Sequence, residues 1–414
     1  MNEIPVTIPW LAEAEVEAVR HAILSGWVTQ GPRVKAFEEA FAAFTGAALA
    51  CAVSSCTTAL HLALLAVGVK PGDVVVTVSH SFIATANAIR YCQAEPLFVD
   101  IDPTTLNLDP DLLAQSLMKD FIEEGGSLWY RDITRLAVGE SPIKGREAPV
   151  GRLAAILVVH QVGMPADLAR ILAIGRKYGL PVVEDAACAI GSEVSLHGRA
   201  WEKIGRPHGD VACFSFHPRK VITTGDGGML TTNNPAYDQT FRLLRQHGMN
   251  IPDAVRHGAG EVVFEDYTTF GFNYRLTDVQ AAIGIEQLRR LPEIVARRRV
   301  LAAFYDEGLK GLRGLKTPSE PPYARTNWQS YIIELEDAAL QRPVMQALLR
   351  KGIHTRRGIM CAHLEAPYSQ AWPPGILPKS EAARDRGLIL PLYPTMTEGQ
   401  VEFVVSALKE IVGQ

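Results

Sequence analysis

The first residue of this sequence that could do chemistry is a lysine in a glycine-rich loop. Lys220 closes the run Cys213-Phe214-Ser215-Phe216-His217-Pro218-Arg219-Lys220, and the loop continues through Thr223-Thr224-Gly225-Asp226-Gly227-Gly228. A lysine amine becomes a nucleophile when its ammonium is desolvated or kept near another cation. Open α/β sheets place their chemistry in glycine-rich loops at strand ends. A surface lysine on a turn would share these local features, so the remaining residues must decide. Ser54-Ser55-Cys56-Thr57-Thr58 runs directly into the helical pattern Ala59–Leu65. Hydroxyls at a helix N-terminus cap its free N–H groups, and with those groups they hold anions, typically phosphate. Four hydroxyls in five positions are more than a cap needs. Phe82 stands near the end of the next strand pattern, and Asp185 ends the run Val182-Val183-Glu184-Asp185 before Ala186-Ala187-Cys188. A carboxylate there either caps the following segment or points into a crevice.

The elements that must position these residues alternate. Strand patterns at 50–53, 74–78, 96–100, 153–160, 181–185, 211–216 and 228–232 are interleaved with helical patterns at 59–65, 81–91, 111–122 and 166–178, preceded by two helices at 13–24 and 33–44. Near-continuous apolar strands in βαβα order predict an α/β fold, a mostly parallel sheet sandwiched by helices. Residues 123–150 are too long for a simple connection and read as an insertion, a functional flap or a loosely ordered excursion. Its Trp129 and Tyr130 favour a packed or ligand-facing role. A long helical pattern from Leu276 to about Leu309, with a break expected near Pro292, leads to a smaller C-terminal α+β unit with a strand near His354. The expected division is 1–275, with the N-terminal arm and the insertion, and 276–414, the linking helix and the small unit.

Composition limits the function classes. The 414 residues hold 41 Lys and Arg against 45 Asp and Glu, a net charge of −4 without blocks of one sign. That argues against a nucleic-acid-binding surface. No apolar run reaches membrane-spanning length, and the start Met1-Asn2-Glu3-Ile4-Pro5 lacks a signal pattern. Six cysteines, none in a C-x-x-C pair, point to a reduced cytoplasmic protein without structural zinc or another metal.

One cofactor needs all four features. Pyridoxal 5′-phosphate requires a lysine for its aldehyde, a carboxylate for its ring nitrogen, a helix N-terminus with hydroxyls for its phosphate, and an aromatic face for its ring. The sequence resembles the DegT-type nucleotide-sugar aminotransferases, fold-type I (aspartate-aminotransferase-like) pyridoxal-phosphate enzymes, over almost its whole length. The matching stretches are Ser25-Gly26-Trp27-Val28-Thr29-Gln30-Gly31-Pro32, Ser55-Cys56-Thr57-Thr58-Ala59-Leu60-His61, Ser81-Phe82-Ile83-Ala84-Thr85-Ala86-Asn87, Phe98-Val99-Asp100-Ile101-Asp102, Glu184-Asp185-Ala186-Ala187, Phe214–Lys220, Gly271-Phe272-Asn273-Tyr274-Arg275-Leu276-Thr277-Asp278 and Leu390-Pro391-Leu392-Tyr393-Pro394.

The resemblance implies a role for each matching residue. Lys220 would form the Schiff base and shuttle the substrate proton, Asp185 would pair with the pyridinium nitrogen, and Phe82 would stack on the ring. The Cys56 N–H, Thr57 and Ser215 would hold the phosphate. Asn273 would reach the cofactor phosphate of a neighbouring subunit, which implies a homodimer with shared active sites. Arg275 is either an anchor for a substrate carboxylate or phosphate, or a dimer salt bridge. Cys188 stands near the ring oxygen, where members often have glutamine. Trp27 is a partner or ligand contact or a cap over the core, and His363 lines the acceptor pocket or is structural. Arg356 and Arg357 could face an acidic acceptor or lie in a solvated loop. The insertion is absent from the usual pattern and is expected near the acceptor side. The implied reaction moves an amino group from an amino acid, glutamate by resemblance, to a keto sugar, nucleotide-linked by resemblance. Sugar dehydratases of the same family commonly replace the lysine by histidine, so Lys220 favours transamination. A keto sugar without a nucleotide, a cyclitol acceptor, and a regulatory protein that binds the cofactor without using it are the alternatives.

Overall fold

A computed structural model describes residues 3–147, 149–198, 200–251, 262 and 264–412. Its centre is a seven-stranded sheet. The strands are β1 (Leu49–Val53), β2 (Val74–Val78), β3 (Glu95–Val99), β4 (Leu153–Val159), β5 (Val182–Asp185), β6 (Val211–Ser215) and β7 (Gly228–Thr232). Their order is β1-β7-β6-β5-β4-β2-β3, and only β7 runs antiparallel to its neighbours. Val-Val-Val-Thr-Val in β2 and Leu-Ala-Ala-Ile-Leu-Val-Val in β4 are buried throughout, as strands covered on both faces must be. Successive side chains point to opposite faces. Ala50 and Ala52 join one core with Phe37 and Phe41, while Cys51 and Val53 join another with Leu60 and Leu64.

Three helices bear on the site. They are α1 (Glu13–Leu24), α2 (Pro32–Thr45) and α3 (Cys56–Ala66). A long helix, Asp278–Leu309, packs against α1 and α2. The expected break at Pro292 does not occur. Proline removes one backbone hydrogen bond, and burial of Leu291, Ile294 and Val295 on either side holds the helix through it. The buried carboxylate of Asp278 fixes the start of α2, accepting from the N–H groups of Gly31 (2.8 Å), Arg33 (3.1 Å) and Val34 (2.9 Å). A side chain at Gly31 would meet that carboxylate at 2.8 Å, so the position accepts only glycine.

A second sheet has the order Leu315–Lys316, Tyr331–Leu335, Gly387–Leu390, Arg356–Arg357. It encloses its own core with Leu301, Tyr305 and Leu309 of the long helix and Val404 and Leu408 of the helix Glu398–Val412. The strand expected near His354 lies at Arg356–Arg357, because the His354 N–H pairs with Ile4 instead. The two cores interleave along the chain. Ile4 lies in the second, while Tyr368, Trp372 and Leu377 lie in the first.

The insertion is packed and is not a flap near the acceptor side. Phe121–Glu124 and Ser127–Tyr130 pair as a hairpin, and Leu128, Tyr130, Leu136 and Ile143 enter the large core. The Ser141 hydroxyl donates to Glu95 at the start of β3 (2.9 Å), and the Gly151 N–H donates to the Gly72 carbonyl just before β2. This segment therefore covers the N-terminal ends of strands whose C-terminal ends carry the chemistry. No described helix is long and apolar enough to cross a membrane. Because Asp278 ties the long helix to α2 through three charge-assisted bonds, Asp278→Ala should cost about 3 kcal/mol of stability, read from the midpoint of urea unfolding.

Candidate active site

The C-terminal ends of β5 and β6 bring together the acid and the lysine. Asp185 pairs in register with Cys213, so the acid closes β5 beside the strand that leads to Lys220. Asp185 is only 5 % exposed. One of its oxygens accepts from the Thr85 hydroxyl (2.7 Å), which also shares a hydrogen bond with the Ser81 hydroxyl (2.8 Å). The other accepts from the Ala187 N–H (3.2 Å) and faces the Cys56 thiol at 4.0 Å. Burial pushes the Asp185 carboxyl above its ordinary range, against the pull of Thr85, Ala187 and Lys220. Burial also raises the Cys56 thiol, which stays protonated.

Glu184 points to the opposite side of the strand, into a fully buried pair with His160 (3.0 Å). Because His160 Nδ1 accepts from the Ala166 N–H (3.0 Å), the ring proton sits on Nε2 and donates to Glu184. Burial raises the Glu184 carboxyl, but the His160 bond, the His208 charge and the Gly209 N–H outweigh it and keep it below its ordinary value. The His160 N–H in turn holds the Asp185 carbonyl (3.0 Å).

The lysine loop is fixed by its own backbone. Phe216 binds Gly227 through its N–H and accepts from the Thr224 N–H and the Thr223 hydroxyl, while the Lys220 N–H returns to the His217 carbonyl. This folds the loop over the end of β6 and leaves Lys220 half-buried with its Nζ 3.0 Å from the Cys188 Sγ. Burial lowers the Lys220 ammonium, yet Cys188 and Asp185 outweigh it and hold it above its ordinary range.

The hydroxyl cluster divides its work. Ser55 caps α3 by accepting from the Thr58 N–H (3.2 Å), and the Thr58 hydroxyl accepts from the Ser55 N–H (3.1 Å) while contacting Ser54 and Ser55. The hydroxyl surplus is therefore one residue: Thr57, with the first-turn N–H groups of Cys56 and Thr57. Gly228 opens β7 against this turn. A side chain there would meet the Cys56 nitrogen at 2.7 Å. Because Gly228 pairs with Ser215, the serine is carried to the same helix N-terminus. Phe82 precedes its helix, which begins at Ala84 rather than Ser81, and its ring is 61 % exposed.

The residues present fit pyridoxal 5′-phosphate. A half-buried lysine, a buried carboxylate at a strand end, a helix start with spare donors and an uncovered aromatic face all follow the C-terminal ends of strands of the central sheet. Lys220, Asp185, Phe82, Cys56, Thr57, Ser215 and Cys188 could all serve the group from this chain.

The other expected residues lie elsewhere. His363 is fully buried, with its ring nitrogens taken by Ser79 (2.6 Å) and Glu381 (3.2 Å), so it is structural and lines no acceptor pocket. Arg275 bridges Val53 and lines a cavity of about 370 Å³ with Glu38, Arg242 and Arg245. Trp27 packs beside Gly31. Asn273 is exposed and bridges Gln246 through its backbone. Sequence reasoning missed Thr85, whose only signal was its place one turn after Phe82. It also missed Asn327, whose amide donates to the carbonyls of Cys188 and Ile190 (both 2.8 Å). Among the described residues, no three His, Cys, Asp or Glu side chains are grouped to hold a metal.

Residues 9–409 match the model of the DegT/DnrJ/EryC1/StrS aminotransferase family. The chain is 35 % identical to the aminotransferase TlmJ from Streptoalloteichus hindustanus, with a TM-score of 0.82 over 100 % of this chain and 99 % of that one. It is 28 % identical to DesV of S. venezuelae, solved in complex with a ketimine intermediate, at a TM-score of 0.82 over the whole of both chains. An uncharacterized protein of Methanocaldococcus jannaschii, MJ1066, is 32 % identical over 99 % of this chain and 98 % of its own.

The raised Asp185 carboxyl has a direct consequence for the protein without cofactor. A carboxyl raised in the folded state supports folding fully below its unfolded value, and that support is lost as pH rises through the folded value. Asp185→Asn should therefore raise the melting temperature of the cofactor-free protein at neutral pH by about 1–3 °C. The same change should weaken cofactor retention about tenfold or more, measured by equilibrium dialysis.

Proposed function

Because the chain belongs to the DegT/DnrJ/EryC1/StrS aminotransferase family, we propose that it moves an amino group from glutamate to a nucleotide-linked keto sugar. Sugar aminotransfer is the activity of the family, and its cofactor is pyridoxal 5′-phosphate. The choice of glutamate and of a nucleotide-linked acceptor is supported by the motifs this sequence shares with nucleotide-sugar enzymes. The observation that carries the site assignment is the register that sets Asp185 beside the strand leading to Lys220, with the Thr85 hydroxyl, three residues after the exposed Phe82, bonded to the Asp185 carboxylate.

When bound, the cofactor supplies an aldehyde for a lysine amine and a protonated ring that stores the electron pair released at the substrate carbon. Lys220 Nζ is the base that takes the proton from the substrate carbon and returns it on the other side of the reaction. Asp185 would hold the proton-bearing ring nitrogen. Its bonds to Thr85 and the Ala187 N–H fix its direction, and its burial would strengthen that pairing. Phe82 would cover one ring face. Cys56 and Thr57 N–H groups with the Thr57 and Ser215 hydroxyls would hold the phosphate at the start of α3. Cys188 takes the place beside the lysine.

We further propose a homodimer in which Asn273 of each subunit reaches the cofactor phosphate of the other. Its support is the exposed Asn273 amide and the uncovered Val262, Phe264, Tyr267 and Phe270 on the same excursion of the chain. The six cysteines are free, which suits the cytoplasm as the proposed compartment, a reading that cell fractionation tests.

Adding glutamate to the loaded protein should convert the absorbance of the pyridoxal form into that of the pyridoxamine form. Lys220→Ala should slow that conversion at least about 100-fold, and equal rates would overturn the assignment of the base. The shared site has its own test. Lys220→Ala and Asn273→Ala proteins, each impaired alone, should regain activity when their subunits are exchanged, because one of the two sites is then intact. No gain on mixing would exclude Asn273 from the other subunit's site.

A further inference from the structure

Next to the lysine loop lies a second cavity, of about 150 Å³, whose lining includes Thr7, Arg219, Gln329, Ser330 and Arg356. Arg219 directly precedes Lys220. Its carbonyl accepts from the Gln329 amide (2.9 Å), which ties the loop to the segment leading into Tyr331–Leu335. Arg356 approaches from the opposite side, on the edge strand of the small sheet, where it pairs with Ile389. Its neighbour Arg357 does not line the cavity. Among the described residues neither Arg219 nor Arg356 has a carboxylate partner. Partial burial and the Arg219 charge both pull the Arg356 guanidinium below its ordinary range. The same two arginines, with Lys220, help to hold the His217 ring below its ordinary value, beyond the effect of its burial. His217 Nδ1 accepts from the Arg219 N–H (3.2 Å), so the ring is neutral with its proton on Nε2.

Two like charges facing one cavity repel unless an anion sits between them. Guanidinium groups present paired N–H donors that match the two oxygens of a carboxylate or phosphate. The cofactor phosphate is served elsewhere, at the start of α3, so this cavity is left for the substrate. We propose that Arg219 and Arg356 form an oxyanion subsite for substrate, closed by the second sheet over the lysine loop. The anion is a carboxylate of the amino donor or a phosphate of the acceptor, the chemistry both share. This inference rests on the aminotransferase reading of Lys220.

The test uses loaded wild-type protein, Arg219→Gln, Arg356→Gln and, as a control, Arg357→Gln. Two probes, glutarate and inorganic pyrophosphate, are titrated by calorimetry. One probe should bind the wild type and lose about 10- to 100-fold in affinity in both cavity variants, with Arg357→Gln unchanged. Loss of glutarate binding assigns the subsite to the donor carboxylate, and loss of pyrophosphate binding assigns it to the acceptor phosphate. Unchanged cofactor absorbance in the variants separates this loss from damage to the cofactor seat. If the wild type binds neither probe, or if both cavity variants bind as it does, the subsite is disproved. Should the wild type convert its cofactor with glutamate while the cavity variants bind normally, the subsite alone falls. Should the arginines bind a probe while no amino acid converts the cofactor, the aminotransferase reading falls instead.

Discussion

A carboxylate taken out of water must find donors or a cation, and Asp185 is placed to find both. Its strand ends one residue before the chain turns, so the side chain is buried while its oxygens meet Thr85 and the Ala187 N–H. Those two bonds do not offset burial, and the group stays above its ordinary range. The remaining deficit is what a protonated ring nitrogen supplies. The neighbouring elements follow from this need. Parallel pairing of β5 with β6 brings the lysine strand alongside, and the turn after β2 brings the Thr85 hydroxyl, itself bonded to Ser81, onto the acid. On the far face, the buried His160–Glu184 pair fixes β5 from behind, and the His160 N–H holds the Asp185 carbonyl.

The phosphate end depends on backbone approach rather than on charge. Among the described residues no lysine or arginine caps α3, and its capacity to hold an anion comes from donor N–H groups that a helix start cannot satisfy internally. Gly228 lets β7 touch the Ser55–Cys56 peptide, where any side chain would collide with backbone. The antiparallel partner of Gly228 is Ser215, so one contact places both the strand and the hydroxyl. The three glycines near Lys220 therefore have different causes. Gly225 and Gly227 adopt positive φ to turn the loop, while Gly228 is extended and serves closeness.

Much of this was legible because the strands are strongly apolar and their ends carry unusual residues. Lys220, Asp185, Phe82 and the 54–58 cluster stood out by type and position, and the fold gathers them at one end of the sheet. Element limits were harder where side chains compete with backbone. Ser81 bonds Thr85 and delays the helix to Ala84. His363 misled because a histidine near a site looks available, yet its pairing with Ser79 spans 284 residues of chain. The insertion misled for a similar reason. Its aromatic content suited either a ligand or a core, and the bonds of Ser141 to Glu95 and of Gly151 to Gly72 show that it lies at the far end of the sheet. Pro292 shows the converse, a local rule overridden by burial on both sides.

The second sheet is not a passive neighbour of the site. The segment 326–330 that leads into it holds the carbonyls of Cys188, Ile190 and Arg219 through two amide side chains. Asn327 also accepts a position that only glycine allows at residue 163, where φ is +94° and a side chain would meet the Asn327 Cγ at 3.1 Å. Its N–H is held by Ser192, which in turn donates to the Gly163 carbonyl. The loop after β4, the loop after β5 and the lysine loop are thus pinned to one short segment. Movement of the second sheet relative to the first would carry Cys188 and Arg219, on either side of Lys220, in the same direction. The contacts that orient the lysine are therefore mechanically coupled to the surface that presents Arg356. Arg356 joins that segment through the pairing of its strand with Gly387–Leu390 and of that strand with Tyr331–Leu335, so the arginine, Gln329 and Asn327 belong to one packed unit.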